Sequence, residues 1–533
     1  MYFIFINKPQ EHPLNITIRD ILNKIVQRHG DREILVFQDS RFTGRQYVER
    51  VYRLGNALLG LGLKKGDRVA LLLNNSNFSA ECFRGANSAG MPFVSLNARN
   101  AVPEHIYILN DSGAKALIAG EEFLPLMDKI LPGAPDLEHV IVVPGKNKGQ
   151  FLSYEELLVT APSTEPDVDI TAEDPYSIRY TSGTTGKPKG VLQLFRSDIT
   201  QLYNSLMEGL EIRKSDVVAL TAPVTHASGS QIMPHMAKGA KVVIMAGFDP
   251  ENLLKTIEKE KITTLYLVPT MIVMLINHPT LKNYDISTIR TIRYGASPIA
   301  PNVLKKAMGI FGDVFLQGYG LTEASMPITL LTKEDHIPDG TEKSVKRLKS
   351  IGREVLIAKV GIQDPECKIL PDGQTGEICV KSDQVMKEYW NNPEATRETL
   401  VDGWLHTGDM GYRDEDGYLY LVDRKKDMII SGGFNIYPRE VEDALYLHES
   451  VLEAAVVGIP DEKWGETVMA FVVLKENKTA TENEIIAHCR EQLAGYKKPT
   501  SVKFLDELPK NANGKILKKD LKAPYWEDQE RKI

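Results

Sequence analysis

Four cysteines in 533 residues, Cys82, Cys367, Cys379 and Cys489, stand far apart and in no metal-ligand or redox spacing. That distribution excludes a disulfide scaffold and a zinc ribbon, and it points to thiols in a reducing compartment. Apolar runs are short everywhere, and none approaches the eighteen or more residues of a membrane span. The stretch Tyr2 to Ile6 lacks a preceding basic segment and a small-residue cleavage site, so no signal peptide is expected and the default setting is the cytoplasm. Basic excess is missing too. A formal net charge of -7 disfavours a general nucleic-acid binder. Neither an internal repeat nor a low-complexity tract is visible, and a homo-oligomer is compatible with the chain.

What is present is ordinary globular composition, 42% hydrophobic and 25% charged, at a length that calls for at least two domains. "DRVALLLNNS" (Asp67 to Ser76) has the pattern of a buried strand, and "NFSAECFRGANSAG" that of a helix ending at Gly90. The same order returns around "AKALIAG", "LEHVIVV", "SDVVALTAP", "AKVVIMAG" and "ITTLYLVP". Strand-then-helix repetition predicts an α/β fold with mostly parallel, helix-covered sheets. From Ile351 to Leu421 short strands and Gly/Asp turns predict a small, mainly antiparallel, barrel-like module. Alternation then resumes, with a helix expected at Pro438 to His448, strands at Leu452 to Ile459 and Thr467 to Leu474, and a helix opening near Thr481. The charged stretch Asp423 to Asp427 is the expected boundary between a large domain, 1–425, and a small mobile α+β domain, 426–533.

One stretch carries chemistry on its face. "YTSGTTGKPKG" (Tyr180 to Gly190) sets three glycines, two lysines and a row of hydroxyls after an apparent strand. Glycines let backbone N–H groups approach an anion, hydroxyls donate to it, and lysines neutralise it. A P-loop needs four residues between its first glycine and its Gly-Lys pair. Here Gly183 and Gly186 are three apart and Pro188 follows Lys187, which disfavours a P-loop kinase or ATPase. Taken alone, the run is equally a flexible surface loop.

Further motifs follow in order: "QGYGLTEA" (Gln317 to Ala324), "GEICVKS" (Gly376 to Ser382), "WLHTGDMGY" (Trp404 to Tyr412), "DRKKDMIISGGFNIYPREVE" (Asp423 to Glu442) and "PKNANGKILK" (Pro509 to Lys518). Together they resemble the adenylate-forming superfamily, in its acyl-CoA synthetase or carboxylic acid:CoA ligase branch, over nearly the whole chain. The resemblance implies attack of a carboxylate on the α-phosphate of ATP, giving acyl-AMP and pyrophosphate, and then transfer of the acyl group to the thiol of CoA.

By that resemblance Thr181, Ser182, Gly183, Thr184, Thr185, Gly186 and Lys189 would hold the β- and γ-phosphates, with Lys187 assisting. Tyr319 would stack on adenine, Thr322 would bond the α-phosphate, and Glu323, with Thr184, would place Mg2+. Asp409 would accept from the ribose hydroxyls, and Arg424 would reach ribose or phosphate. Lys515 would bridge the substrate carboxylate and the α-phosphate; Lys426 would be the hinge of the small domain; and Gly432 and Gly433 would admit the pantetheine arm of CoA. Without the motifs, Asp409 is a turn aspartate, Arg424 a boundary ion-pair partner, and Lys515 one charge in a solvated run.

For the acyl group, "APVTHASG" (Ala222 to Gly229) resembles the family's gate segment and makes His226 the candidate beside the carboxylate. Gly295, Ala296 and Ser297 in "YGASPIAP", with Gly318, would line the pocket with small groups. No aspartate stands in "VTHASGSQ" to pair a substrate amine, which disfavours an α-amino acid. Phe195 stands where many relatives carry His, which favours an apolar acid. A medium or long fatty acid, or an alicyclic or aromatic acid, is the expected substrate. Three alternatives stand beside CoA ligation: transfer to a carrier-protein thiol, oxygenation of the adenylate as in luciferases, and a catalytically silent nucleotide-binding regulator.

Overall fold

The computed structural model describes residues 15–146, 148–181, 187–297, 299, 301–424, 427–432, 434–510 and 516–526. Two compact units are formed, one from residues 1–247, 322–325 and 382–398, the other from 248–321, 326–381 and 399–533.

In the first unit an eight-stranded sheet runs in the order Glu388–Tyr389, Lys189–Leu194, Pro175–Thr181, Phe93–Ser95, Arg68–Leu72, Ala114–Gly120, His139–Val143, Leu152–Ser153. From Pro175–Thr181 to Leu152–Ser153 every neighbouring pair is parallel. Parallel strands bury both faces, which is why Arg68–Leu72 (RVALL) is one apolar run rather than an alternation. The expected helix after it spans Asn77–Ser88; Ser76 Oγ caps it by accepting from Ser79 N, and Gly90 follows with φ +70°. A further set of strands joins Val217–Leu220, Lys241–Ile244 and Glu33–Phe37 in parallel.

In the second unit Thr264–Leu267, Thr291–Gly295 and Phe315–Leu321 are parallel. The Gly/Asp-rich segment forms the expected antiparallel module, pairing Lys359–Gln363 with Gly376–Lys381, that strand with Trp404–Arg413, and the latter with Leu419–Arg424. Towards the C-terminus, the long hairpin of Val451–Asp461 and Gly465–Leu474 carries Ser501–Phe504 in parallel at its side. Helices Pro438–Leu445 and Glu482–Gln492 close a core of Ile436, Val441, Val456, Val468 and Ile485 against one face. Thr481 caps the second helix in a capping box with Glu484. Helix Lys518–Trp526 covers the other face, where Leu521 packs with Ala455, Met469 and Phe471. Among the described residues no helix is long and apolar enough to cross a membrane, and all four cysteines are free.

Candidate active site

The hydroxyl-rich loop joins two strands whose ends are held in register: Tyr180 pairs with Gly190 and Thr181 with Lys189 across Pro175–Thr181 and Lys189–Leu194. Ser182 to Gly186, including Thr184 and Thr185, lie outside the described residues. Below the loop, Tyr180 Oη donates to Asp111 Oδ2 at 2.5 Å, and Tyr107 Oη donates to the Pro188 carbonyl at 3.2 Å. Lys187 Nζ stands 5.5 Å from the centroid of the Tyr107 ring. The strands thus hold the two ends of this segment, Thr181 and Lys189, side by side.

Lys189 leads to the second motif. Its Nζ lies 5.1 Å from the centroid of the Tyr389 ring, a cation–π distance, and Tyr389 Oη donates to Glu323 Oε1 at 2.8 Å. Glu323 is further held by its carbonyl, which accepts from Met386 N at 2.7 Å. Gln193 Nε2 donates to the Thr322 carbonyl at 3.0 Å and to Ser325 Oγ at 2.7 Å. So Lys189, Thr322 and Glu323 meet in the first unit through two residues that sequence reasoning did not single out. Tyr389 sits on a two-residue strand at the sheet edge, and Gln193 is a buried amide in an apolar strand.

The third cluster is in the second unit. Tyr319 is buried, and its hydroxyl donates to Asp409 Oδ2 at 2.8 Å. Arg424 Nε reaches Asp409 Oδ1 at 3.0 Å, across the register pair Asp409–Arg424. Burial and the Asp409 charge together push the Tyr319 phenol well above its usual range. Each carboxylate oxygen keeps a lone pair beyond the bond it accepts here, so Asp409 retains capacity for two further donors.

Gly295 and Gly318 are strand partners in the same unit. A Cβ on Gly295 would lie 2.5 Å from the Gly318 carbonyl oxygen, and one on Gly318 3.0 Å from Met326 Sδ. Close strand packing is therefore sufficient reason for both glycines. Ala296 takes φ +67° and is exposed, and Ser297 is half-buried. Gly432, at φ +58°, turns the hairpin of Ile429–Ser431 and Phe434–Ile436; a Cβ there would meet the Trp464 ring at 2.6 Å. Gly433, Lys426 and Lys515 lie outside the described residues. The segment that carries Lys515 is flanked by an antiparallel bridge between Lys510 and Ile516. Lys510 pairs with Glu453 at 2.6 Å and Lys518 with Glu442 at 2.8 Å, so two neighbours of Lys515 are committed to ion pairs.

His226 lies in the first unit, where its Nδ1 and Thr225 Oγ1 are 2.8 Å apart. Burial, and then the charge of Arg179, lower its pKa to about 4, which keeps the ring neutral. It lines a cavity together with Arg84, Phe93, Tyr176, Arg179 and Asp198. Phe195 is fully buried with its ring 5.9 Å from that of Tyr176, as a core residue of helix Phe195–Asn204. Arg179 was legible only as an isolated charge in the strand "YSIRYTS".

Known proteins are similar to this chain over most of its length. The AMP-binding enzyme model covers residues 22–390, and the AMP-binding enzyme C-terminal domain model covers 440–515. A medium/long-chain-fatty-acid–CoA ligase of Mycobacterium tuberculosis is 37% identical over 530 residues, spanning 95% of this chain and 90% of its own. A fatty acid–[acyl-carrier-protein] ligase of Streptomyces coeruleorubidus is 35% identical, over 98% of this chain and 99% of its own. The crystal structure of an anthranilate CoA ligase in complex with anthranoyl-AMP superposes with a TM-score of 0.87 at 31% identity, covering 96% of this chain and 98% of that one. That likeness extends to the fold class, mixed α/β with parallel sheets in a large N-terminal part and a small C-terminal domain. On motifs, fold and family models alike, the chain belongs to the AMP-binding enzyme family.

Proposed function

We propose that this protein is an AMP-forming carboxylic acid:CoA ligase, converting acid, ATP and CoA into acyl-CoA, AMP and pyrophosphate. The observation that carries the proposal is the chain Lys189, Tyr389, Glu323, which brings a lysine of the hydroxyl-rich loop and a carboxylate of "QGYGLTEA" into one locality. A carboxylate is a poor acyl donor because its leaving group would be an oxide. Attack of one carboxylate oxygen on the α-phosphate expels pyrophosphate and turns that oxygen into part of AMP, a leaving group that the CoA thiol then displaces.

In this reading Thr181, Lys189 and the loop between them hold the β- and γ-phosphates, and Lys515 offsets charge where carboxylate and α-phosphate meet. Glu323 and Thr184 are the groups that would hold Mg2+; one carboxylate with phosphate oxygens is a donor set this hard cation takes. The ion supplies positive charge to the triphosphate. Tyr319 offers its ring to adenine while its hydroxyl fixes Asp409, whose remaining lone pairs accept from the ribose. Lys426 serves as hinge between domains 1–425 and 426–533, and Gly432 and Gly433 line the approach of pantetheine. His226, neutral, stands beside the reacting carboxylate.

Fatty and aromatic acids are both candidate substrates, since the relatives above are named for medium/long-chain fatty acids and for anthranilate. A carrier-protein thiol is the second reading for the acceptor, supported by the name of the Streptomyces relative. The test is pyrophosphate release across acids from acetate through long fatty acids to benzoates, with ATP and Mg2+, run with and without CoA. CoA-dependent turnover supports the ligase and names the acyl class. Adenylate formation with no CoA-dependent turnover transfers the acceptor role to a carrier protein.

A further inference from the structure

Strand Pro175–Thr181 sends alternate side chains to opposite faces, so Arg179 shares a face with Thr181, about 7 Å further along the strand towards the loop. The Arg179 guanidinium is 5.6 Å from the centroid of Phe93 and 5.7 Å from that of Tyr176, two rings that meet edge to face. Its only polar contact among the described residues is a long one, Nη2 to Tyr176 Oη at 3.4 Å, and its Nε is buried without an acceptor. The carboxylate beside it is taken: Asp198 accepts from both terminal nitrogens of Arg84, at 2.7 and 3.3 Å, in a pair with each side chain under one-tenth exposed. Since His226 is neutral, the cavity walls carry one uncompensated positive charge. Arg179 is half-buried with no carboxylate partner among the described residues, and the planar fork of its guanidinium matches a carboxylate.

The size of the space narrows the ligand. A partly open cavity of about 30 Å³ suits a small polar group such as a carboxylate. Thr225 and Ser230 add hydroxyls to its wall. We propose that this cavity is a subsite for a second carboxylate on the acid substrate, with Arg179 as the residue that recognises it. The inference rests on the ligase reading above and gives it a substrate class: short dicarboxylic acids, whose reacting end lies beside His226 and whose far end pairs with Arg179. Phe93 and Tyr176 shield the pair from water and hold the guanidinium plane.

The experiment compares acids matched in length, butyrate with succinate and hexanoate with adipate. It measures kcat/KM for acyl-CoA formation and, separately, binding by calorimetry in the presence of ATP analogue and Mg2+. The wild type is expected to favour the diacid of at least one pair. Arg179→Met should cut the diacid-to-monoacid ratio about 10- to 100-fold, in turnover and in affinity, and Arg179→Lys should cut it less. Each ratio is taken within one variant, so a loss of folded enzyme cancels. Equal ratios in wild type and Arg179→Met overturn the subsite. If monoacids form acyl-CoA while diacids neither bind nor react better, the subsite falls and the ligase stands. If diacid binding depends on Arg179 but no acid yields a thioester, the subsite stands and the ligase reading falls.

Discussion

Tyr319 and Asp409, 90 residues apart in the chain, are joined by a 2.8 Å hydrogen bond from the phenol to the carboxylate, and Arg424 approaches the same carboxylate from its other oxygen. The three side chains come from three separate motifs, and they make a buried acceptor with fixed orientation. Tyr319→Phe removes a donor to a charged group and should cost about 1–2 kcal/mol of stability. It should also raise the KM for ATP several-fold while kcat at saturating ATP changes less. Thermal melts and ATP titrations check both; an unchanged KM would show that the contact does not serve the nucleotide.

Tyr389→Phe tests the first-unit cluster. Without the phenol, Glu323 loses its 2.8 Å donor and its fixed orientation, while the Tyr389 ring stays beneath Lys189. The Mg2+ concentration for half-maximal pyrophosphate release should rise several-fold. Glu323→Gln should raise it further, and a Mg2+ dependence indifferent to both changes removes Glu323 from the metal role.

The two half-reactions should separate under mutation. Lys515→Ala is expected to abolish adenylate formation, by 10²-fold or more, yet to leave thioester formation from supplied acyl-adenylate largely intact. Gly433→Leu should do the reverse, because a side chain there would obstruct pantetheine. Equal loss of both steps in either variant contradicts a domain that presents different residues to each.

His226 gives a pH prediction. Its pKa falls from 6.5 unfolded to about 4 folded, so between those values the unfolded chain binds more protons. Its neutral burial therefore costs stability as pH falls from about 6.5 through 4, and costs nothing above. His336, lowered to about 4 by burial, acts in the same direction. His226→Asn should flatten the dependence of melting temperature on pH in that window; an unaltered slope places the ring in contact with water.

Much of this was legible in the residues. The helix Asn77–Ser88 announced itself by Ser76 before it and Gly90 after it, and the loop from Thr181 to Lys189 by its glycines and hydroxyls. Strand Val451–Asp461 runs past the expected Leu452 to Ile459, because cross-strand pairing carries on to Asp461–Gly465. The contacts of Glu323 were not legible, since Tyr389 reaches it from 66 residues away on a strand too short to show a period. Arg179 was visible as a charge in an apolar strand, but only three-dimensional packing tells that Asp198 already belongs to Arg84.

The central claim is that the carboxylate itself attacks the α-phosphate. Octanoate and benzoate labelled with 18O in the carboxylate should each, where turned over with ATP, Mg2+ and CoA, leave one labelled oxygen in AMP, as read by mass spectrometry. Labelled AMP in step with acyl-CoA is the predicted result. Unlabelled AMP, or ADP and phosphate in its place, would contradict the account.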